Sequence, residues 1–153
     1  MTVTSSSITK KLLKLPLLSL DVGGRRIGVA VSDSLGLTCH GVQCLYRQHA
    51  DWQKQALDIA HKYSCKGIVV GLALNMDGSE GTQAADCKAA AAQFQKFTDL
   101  PVKLWDERLS SWSARERLRE QGLREEKVNR LVDQTAAAII LEDFLAANPV
   151  HNA

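Results

Sequence analysis

The sequence predicts an α/β protein: a mixed five-stranded sheet, three antiparallel strands then two parallel, with helices on both faces. Three observations carry this. Two apolar segments flank Gly23-Gly24, as in a tight hairpin. From residue 51 onward, segments of helical period alternate with short apolar runs. The order β-β-β-α-β-α-β-α-α joins its first three strands by short links, which suits antiparallel pairing, and reaches the last two through helices, which suits parallel pairing.

Residues 17–22 and 26–32 are the hairpin strands, and 38–46 the third, with Gly36 and Gly41 as punctuation. Over 51–63 the period changes: Trp52, Ala56, Ile59, Ala60 and Tyr63 recur at helical spacing. Residues 66–74 carry Ile68-Val69-Val70-Gly71-Leu72, a continuous apolar run of the kind a buried parallel strand requires. Asn75 to Gly81 is a polar loop marked by Asp77-Gly78, either a plain turn or a lid over substrate. Residues 82–97 form an Ala-rich helix with Phe94 and Phe97 on its apolar side, broken at Asp99-Leu100-Pro101. A short strand covers 102–105. Ser113-Ala114-Arg115-Glu116 fits a capping box, Gly122 suits the end of that helix, and a last helix spans about 126–146, with Pro149 beyond it.

At 153 residues the chain has the length of one domain with a proper core. A net charge of +2 permits a local nucleic-acid patch without demanding one. Cys39, Cys44, Cys65 and Cys87 form no Cys-x-x-Cys pair and have no His at zinc-finger spacing, so they read as reduced thiols of a cytoplasmic protein. The scattered His40, His49, His61 and His151 suit surface or filler roles. Lys10, Lys11 and the leucines up to Leu20 imitate a signal peptide, but Lys14 and Pro16 interrupt the run and Asp21 closes it. Residues 1–15 are therefore expected to be a disordered tail, 16–147 a single domain and 148–153 a short tail. No apolar stretch is long enough to span a membrane as a helix.

The chemistry lies in the acids. Asp21 ends an apolar strand, where a lone carboxylate is costly to bury without a partner or a task. Asp106-Glu107-Arg108 follows the strand at 102–105, and carboxyl ends of strands are where open α/β sheets place their sites. Asp133, read as lying near the start of the last helix, shares its apolar face with Ala136, Ala137, Ile140, Leu141 and Phe144. The small Ala136 and Ala137 would let that helix approach the sheet closely. Three carboxylates from distant segments, aimed at one end of a sheet, make a hard-oxygen site for Mg²⁺ or Mn²⁺, as a pair of ions acting on a phosphodiester. The expected ligands are Asp21, Glu107 and Asp133. Asp106 is a second candidate beside Glu107, whose longer arm has the better reach. Arg108 is the phosphate candidate, and Arg115, Arg117, Arg119, Lys127 and Arg130 would extend its patch. Duller roles compete: Asp21 capping the turn or holding Arg25 or Arg26, Asp106 and Glu107 pairing with Arg108, Asp133 as a first-turn acid, and the arginine-rich stretch as a solvated helix face.

Four segments, in order, resemble the YqgF/RuvX family of RNase H-like nucleases: Asp21-x-Gly23-x4-Gly28-Val29-Ala30; Val70-Gly71-Leu72-Ala73-Leu74-Asn75-Met76-Asp77-Gly78; Asp106-Glu107-Arg108-Leu109-Ser110; and Val132-Asp133-x-x-Ala136. Ala73 stands where that family usually has Pro. The resemblance implies an RNase H-like fold and a cytoplasmic nuclease that processes the 5′ end of pre-16S rRNA in ribosome biogenesis, or else resolves Holliday junctions. Its acidic positions carry over as Asp21, Asp106 or Glu107, and Asp133. The implied partner is nucleic acid, a pre-rRNA or branched DNA, with the protein a monomer or a homodimer; resolution of a junction would need the dimer. A sugar-kinase or actin-like ATPase also opens with Asp-x-Gly, but this chain is too short for its second domain. A non-catalytic binding module would predict lost acids, whereas every candidate position is filled.

Overall fold

The computed structural model describes residues 13–75, 77–107, 117–118, 120–122 and 125–148, with 125–130 described in backbone only. The sheet is built from β1 (Leu18–Val22), β2 (Arg26–Ser32), β3 (Cys39–Tyr46), β4 (Ile68–Leu72) and β5 (Val102–Asp106). Its spatial order is β3-β2-β1-β4-β5. β2 pairs antiparallel with both β1 and β3, while β4 pairs parallel with β1 and with β5. The helices delimited among the described residues are α1 (Trp52–Lys62), α2 (Thr82–Gln95) and α3 (Glu125–Ala147). This is the mixed sheet that the link lengths predict.

Strand alternation sorts the side chains into two layers. Leu18, Leu20 and Val22 of β1, Ile27, Val29 and Val31 of β2, and Ile68 and Val70 of β4 pack with Trp52, Ala56, Ile59 and Ala60 of α1 and with Cys87, Ala90, Ala91 and Phe94 of α2. The other face meets α3. There Leu15, Leu17 and Val69 pack with Ile140, Leu141 and Phe144, and Ala30 packs with Ala137 and Ala138. Among the described residues, the long α3 thus packs on one face, while the two shorter helices pack on the other.

Several expectations shift. Leu15 is buried and Leu13 packs beside it, so the core begins inside the segment read as a tail. The α2 helix stops at Gln95, which takes Phe97 off the apolar stripe: Phe94 is fully buried and Phe97 is 64% exposed. The fourth strand is shorter than the 66–74 read from sequence: Lys66 donates its N–H to the Pro16 carbonyl before the ladder starts at Ile68. Arg117, Leu118 and Glu120 are helical and Gly122 follows them at φ +77°, the left-handed geometry that glycine accepts after a helix. The capping box at 113–116, most of the tail before Leu13, Met76 and Pro149 lie outside the described residues. No helix among the described residues is long and apolar enough to cross a membrane.

Candidate active site

Asp21 belongs to the α3 face, because its neighbours Leu20 and Val22 point the other way. Its partner across the hairpin is Gly28. A Cβ on Gly28 would stand 1.9 Å from the backbone oxygen of Asp133, and one on Gly41 would stand 2.6 Å from the Gln134 Cβ. Two bare strand positions therefore let α3 lie directly on β2 and β3. Farther along α3, the buried Ser19 donates its hydroxyl to the Ala137 carbonyl at 2.6 Å. Ala136, Ala137 and the glycines beneath them fix the height of the helix, and that height brings Asp133 down beside Asp21.

Glu107 follows β5 directly, and its N–H donates to the Leu72 carbonyl at 3.1 Å. Trp105 packs edge-on against Phe144 of α3, ring centroids 5.5 Å apart. Alternation then turns Asp106 away from α3 and brings Glu107 back to it. Gly71, the register partner of Trp105, supplies the space: a Cβ there would sit 2.3 Å from the Glu107 Oε2. The glycine inside an otherwise apolar run was the sequence signal for this close approach.

The Asp21 and Glu107 carboxyl groups are hydrogen-bonded to each other. Burial pushes the Glu107 carboxyl up to about 9, and the neighbouring charge of Asp21, the shared hydrogen bond and the charge of Asp106 add to the rise. Asp21 is also raised, by burial and by the charge of Asp133, while the bond from Glu107 pulls the other way. Burial and mutual repulsion therefore favour keeping a proton on the Asp21–Glu107 pair. The Glu107 Oε2 is buried and has no hydrogen-bond partner.

Asp133 lies on the same face as this pair but is turned to another partner. Its Oδ2 is 2.7 Å from the Arg26 Nε and 3.9 Å from the Cys44 thiol, which donates to it. Burial and the Asp133 charge push that thiol up. Among the described residues no three His, Cys, Asp or Glu side chains are gathered tightly enough to hold one ion. Asp133 is drawn to the opposite charge of Arg26, while its own charge is unfavourable to Asp21. Two readings of the sequence are corrected here. Arg26 is held by Asp133 rather than by Asp21. Asp133 lies a little over two turns inside α3, which begins at Glu125, so it is not a first-turn acid stabilised by the helix dipole.

Arg108, Arg115 and Arg119 lie outside the described residues, as do the side chains of Lys127 and Arg130. Arg117 is paired with Glu142 at 3.0 Å. The loop after β4 is closed by its own bonds: Asp77 accepts from the Ser79 N–H at 2.9 Å and Asn75 N–H donates to the Ser79 carbonyl at 2.9 Å. Sequence reasoning missed Arg47. It forms a two-pronged pair with Asp86 of α2, holding that carboxyl below its usual range, and donates to the Gly23 carbonyl at 3.1 Å. It thereby ties down the turn that follows Asp21. No local motif marks it, because its partners are distant in sequence.

A β-β-β-α-β sheet with acids at the carboxyl ends of its parallel strands and a long helix laid over glycines is the architecture of an RNase H-like protein. The Thermus thermophilus RuvC structure has this fold: it superposes with a TM-score of 0.50 over 87% of this chain and 96% of its own, at 15% identity. The family model described as RuvX, Holliday junction resolvase, matches residues 16–147, and the chain belongs to that family. A protein of Halothermothrix orenii named "Putative pre-16S rRNA nuclease" is 39% identical over 130 residues, which cover 84% of this chain and 93% of its own. A Myxococcus xanthus protein of the same name is 39% identical over 132 residues, covering 86% of this chain and 87% of its own.

Proposed function

We propose that this protein is a metal-dependent nuclease that hydrolyses phosphodiester bonds in structured nucleic acid, with the 5′ region of pre-16S rRNA as its substrate. The observation that carries this reading is the buried Asp21–Glu107 pair with its unpartnered Glu107 Oε2. Two carboxyl groups crowded together beside a third acid are relieved by a cation bound between them. Their hard oxygens suit Mg²⁺ or Mn²⁺ better than a soft metal. Asp21 and Glu107 would hold such ions, with Asp133 as the third ligand on the same face. Held there, a divalent cation supplies charge neutralisation for the phosphodiester and acidifies water to make the nucleophile.

The chain's own residues set the conditions. If Glu107 served as a ligand, the proton shared with Asp21 would be released to solvent. The Trp105–Phe144 contact and the hollow over Gly71 fix the position of its arm. Arg47 holds the Gly23 turn, so Asp21 keeps its place at the end of β1. Arg108 remains the phosphate contact proposed from its place beside the acids, and a single domain over 16–147 working in the cytoplasm remains part of this reading.

The names of the two relatives favour the rRNA substrate. The description of the matching family favours a second reading, a resolvase of branched DNA. One experiment separates them. The full chain is incubated with a 5′-extended pre-16S rRNA and with a four-way DNA junction, each with and without Mn²⁺. Mn²⁺-dependent cleavage of the RNA alone is the expected result. Symmetric cleavage of the junction alone would replace it with the second reading, and cleavage of neither would remove both.

A further inference from the structure

We infer that Arg26 is an internal counter-cation of the acidic site, held by Asp133 in the free protein and transferred to a phosphodiester oxygen of the bound nucleic acid when Asp133 takes up a divalent cation. This rests on the nuclease reading above.

Arg26 opens β2, and alternation with the buried Ile27 places it on the same face as Gly28 and Asp133. Its contact with Asp133 is made through Nε at 2.7 Å, and half of its side chain, 51%, faces solvent. A guanidinium has five donors, and this contact uses one. Half-exposed ion pairs are weak and readily exchanged, so the pair is suited to being broken. Other cations of the described residues are paired elsewhere: Arg47 with Asp86 and Gly23, Lys88 with Glu80, Arg117 with Glu142. Arg26 is the cation seen against Asp133. A planar fork released at the rim of a metal site matches the geometry of a phosphodiester. The Asp133 carboxylate and the nucleic-acid phosphate thus compete for one guanidinium, and Arg26 and a metal ion compete for one carboxylate.

This exchange predicts two effects of opposite sign in one variant. Arg26→Gln removes the competitor for Asp133, so Mn²⁺ titrated calorimetrically into the free protein should bind about twofold to fivefold tighter, as expected when a weak pair is lost. The same variant loses a phosphate contact. Its KM for whichever substrate the wild type cleaves should rise about tenfold, and the slope of log affinity against log salt should flatten by about one. Arg26→Lys keeps the charge without the fork, so its KM should rise about threefold while its Mn²⁺ affinity stays near that of the wild type.

Weaker Mn²⁺ binding by Arg26→Gln would overturn the inference, since Arg26 would then merely orient Asp133. Unchanged KM and salt slope in Arg26→Gln would also overturn it, as would a lysine variant with the wild-type KM. A wild-type protein that neither binds Mn²⁺ nor cleaves nucleic acid would instead bring down the nuclease reading itself.

Discussion

Asp21 and Glu107 share a proton because two buried charges in contact cost more than one charge and one neutral acid. The Glu107 pKa rises on folding from 4.5 to about 9. In that window the folded chain binds more protons than the unfolded chain, so the contribution is complete below the unfolded value and is lost as pH climbs through the folded one. In EDTA, the melting temperature should therefore fall from about pH 5 to pH 9 more steeply in the wild type than in Glu107→Gln. Parallel profiles would mean that Glu107 is ionised throughout. Asp21→Asn tests the other half of the pair. The amide keeps an acceptor for Glu107 but cannot neutralise a dication, so cleavage should drop by at least about two orders of magnitude. Stability in EDTA should hold or rise, since one of three clustered acids is gone. Normal cleavage by this variant would exclude Asp21 as a ligand, and an unfolded variant would make it a structural residue.

Between elements, the decisive contacts are made by missing side chains. Gly28 and Gly71 are both needed for the site, but their substitutions should behave differently. The Cβ of Gly28→Ala would meet the Asp133 backbone oxygen at 1.9 Å, which α3 can relieve only by lifting off β2. The expected cost is about 1–3 kcal/mol or more, read from a denaturant melt, together with lost activity. The Cβ of Gly71→Ala would meet the Glu107 carboxylate at 2.3 Å and the Ile140 Cδ1 at 2.7 Å. Those are the ends of side chains and can move, so stability should fall less than in Gly28→Ala while activity falls as far. Equal destabilisation by both would show that α3 is not seated through Gly28.

For the whole molecule, the sheet's two faces divide the labour. The face covered by α1 and α2 is apolar, its aliphatic and aromatic side chains joined by Cys65 and Cys87, and makes the core. The face under α3 carries the polar exceptions: Ser19, Asp21, Glu107 and Asp133. An ion bound at those acids stabilises only the folded chain. Free Mn²⁺ at about 100 times its Kd should add about 2.7 kcal/mol, or about 5–10 °C in melting temperature for a chain of this size. The increment should vanish in EDTA and be largely absent in Asp21→Asn. An Asp21→Asn variant that keeps the full increment would place the ion elsewhere.

Link length and periodicity were enough to read the mixed sheet, because three strands on short links and two reached through helices leave few unknotted topologies. The acidic positions were legible for the same local reason: charge at the end of an apolar strand, or on the apolar stripe of a helix, is conspicuous in a linear string. What the string left open was partnership. Glu107 was preferred to Asp106 only for its longer arm, until the packing of Trp105 on Phe144 fixed the side to which each turns. Arg26, Arg47 and Asp86 carried no motif, since ion pairs between distant segments leave no spacing to read. The end of α2 before Phe97 and the burial of Leu15 were likewise set by neighbours rather than by period. Sequence determined the elements, their order and the acids they carry, because those follow from nearest-neighbour chemistry. Only the tertiary structure decided which acid shares a proton with which, and which arginine holds the third, because those are choices among side chains that meet only when α3 settles onto the glycines of the sheet.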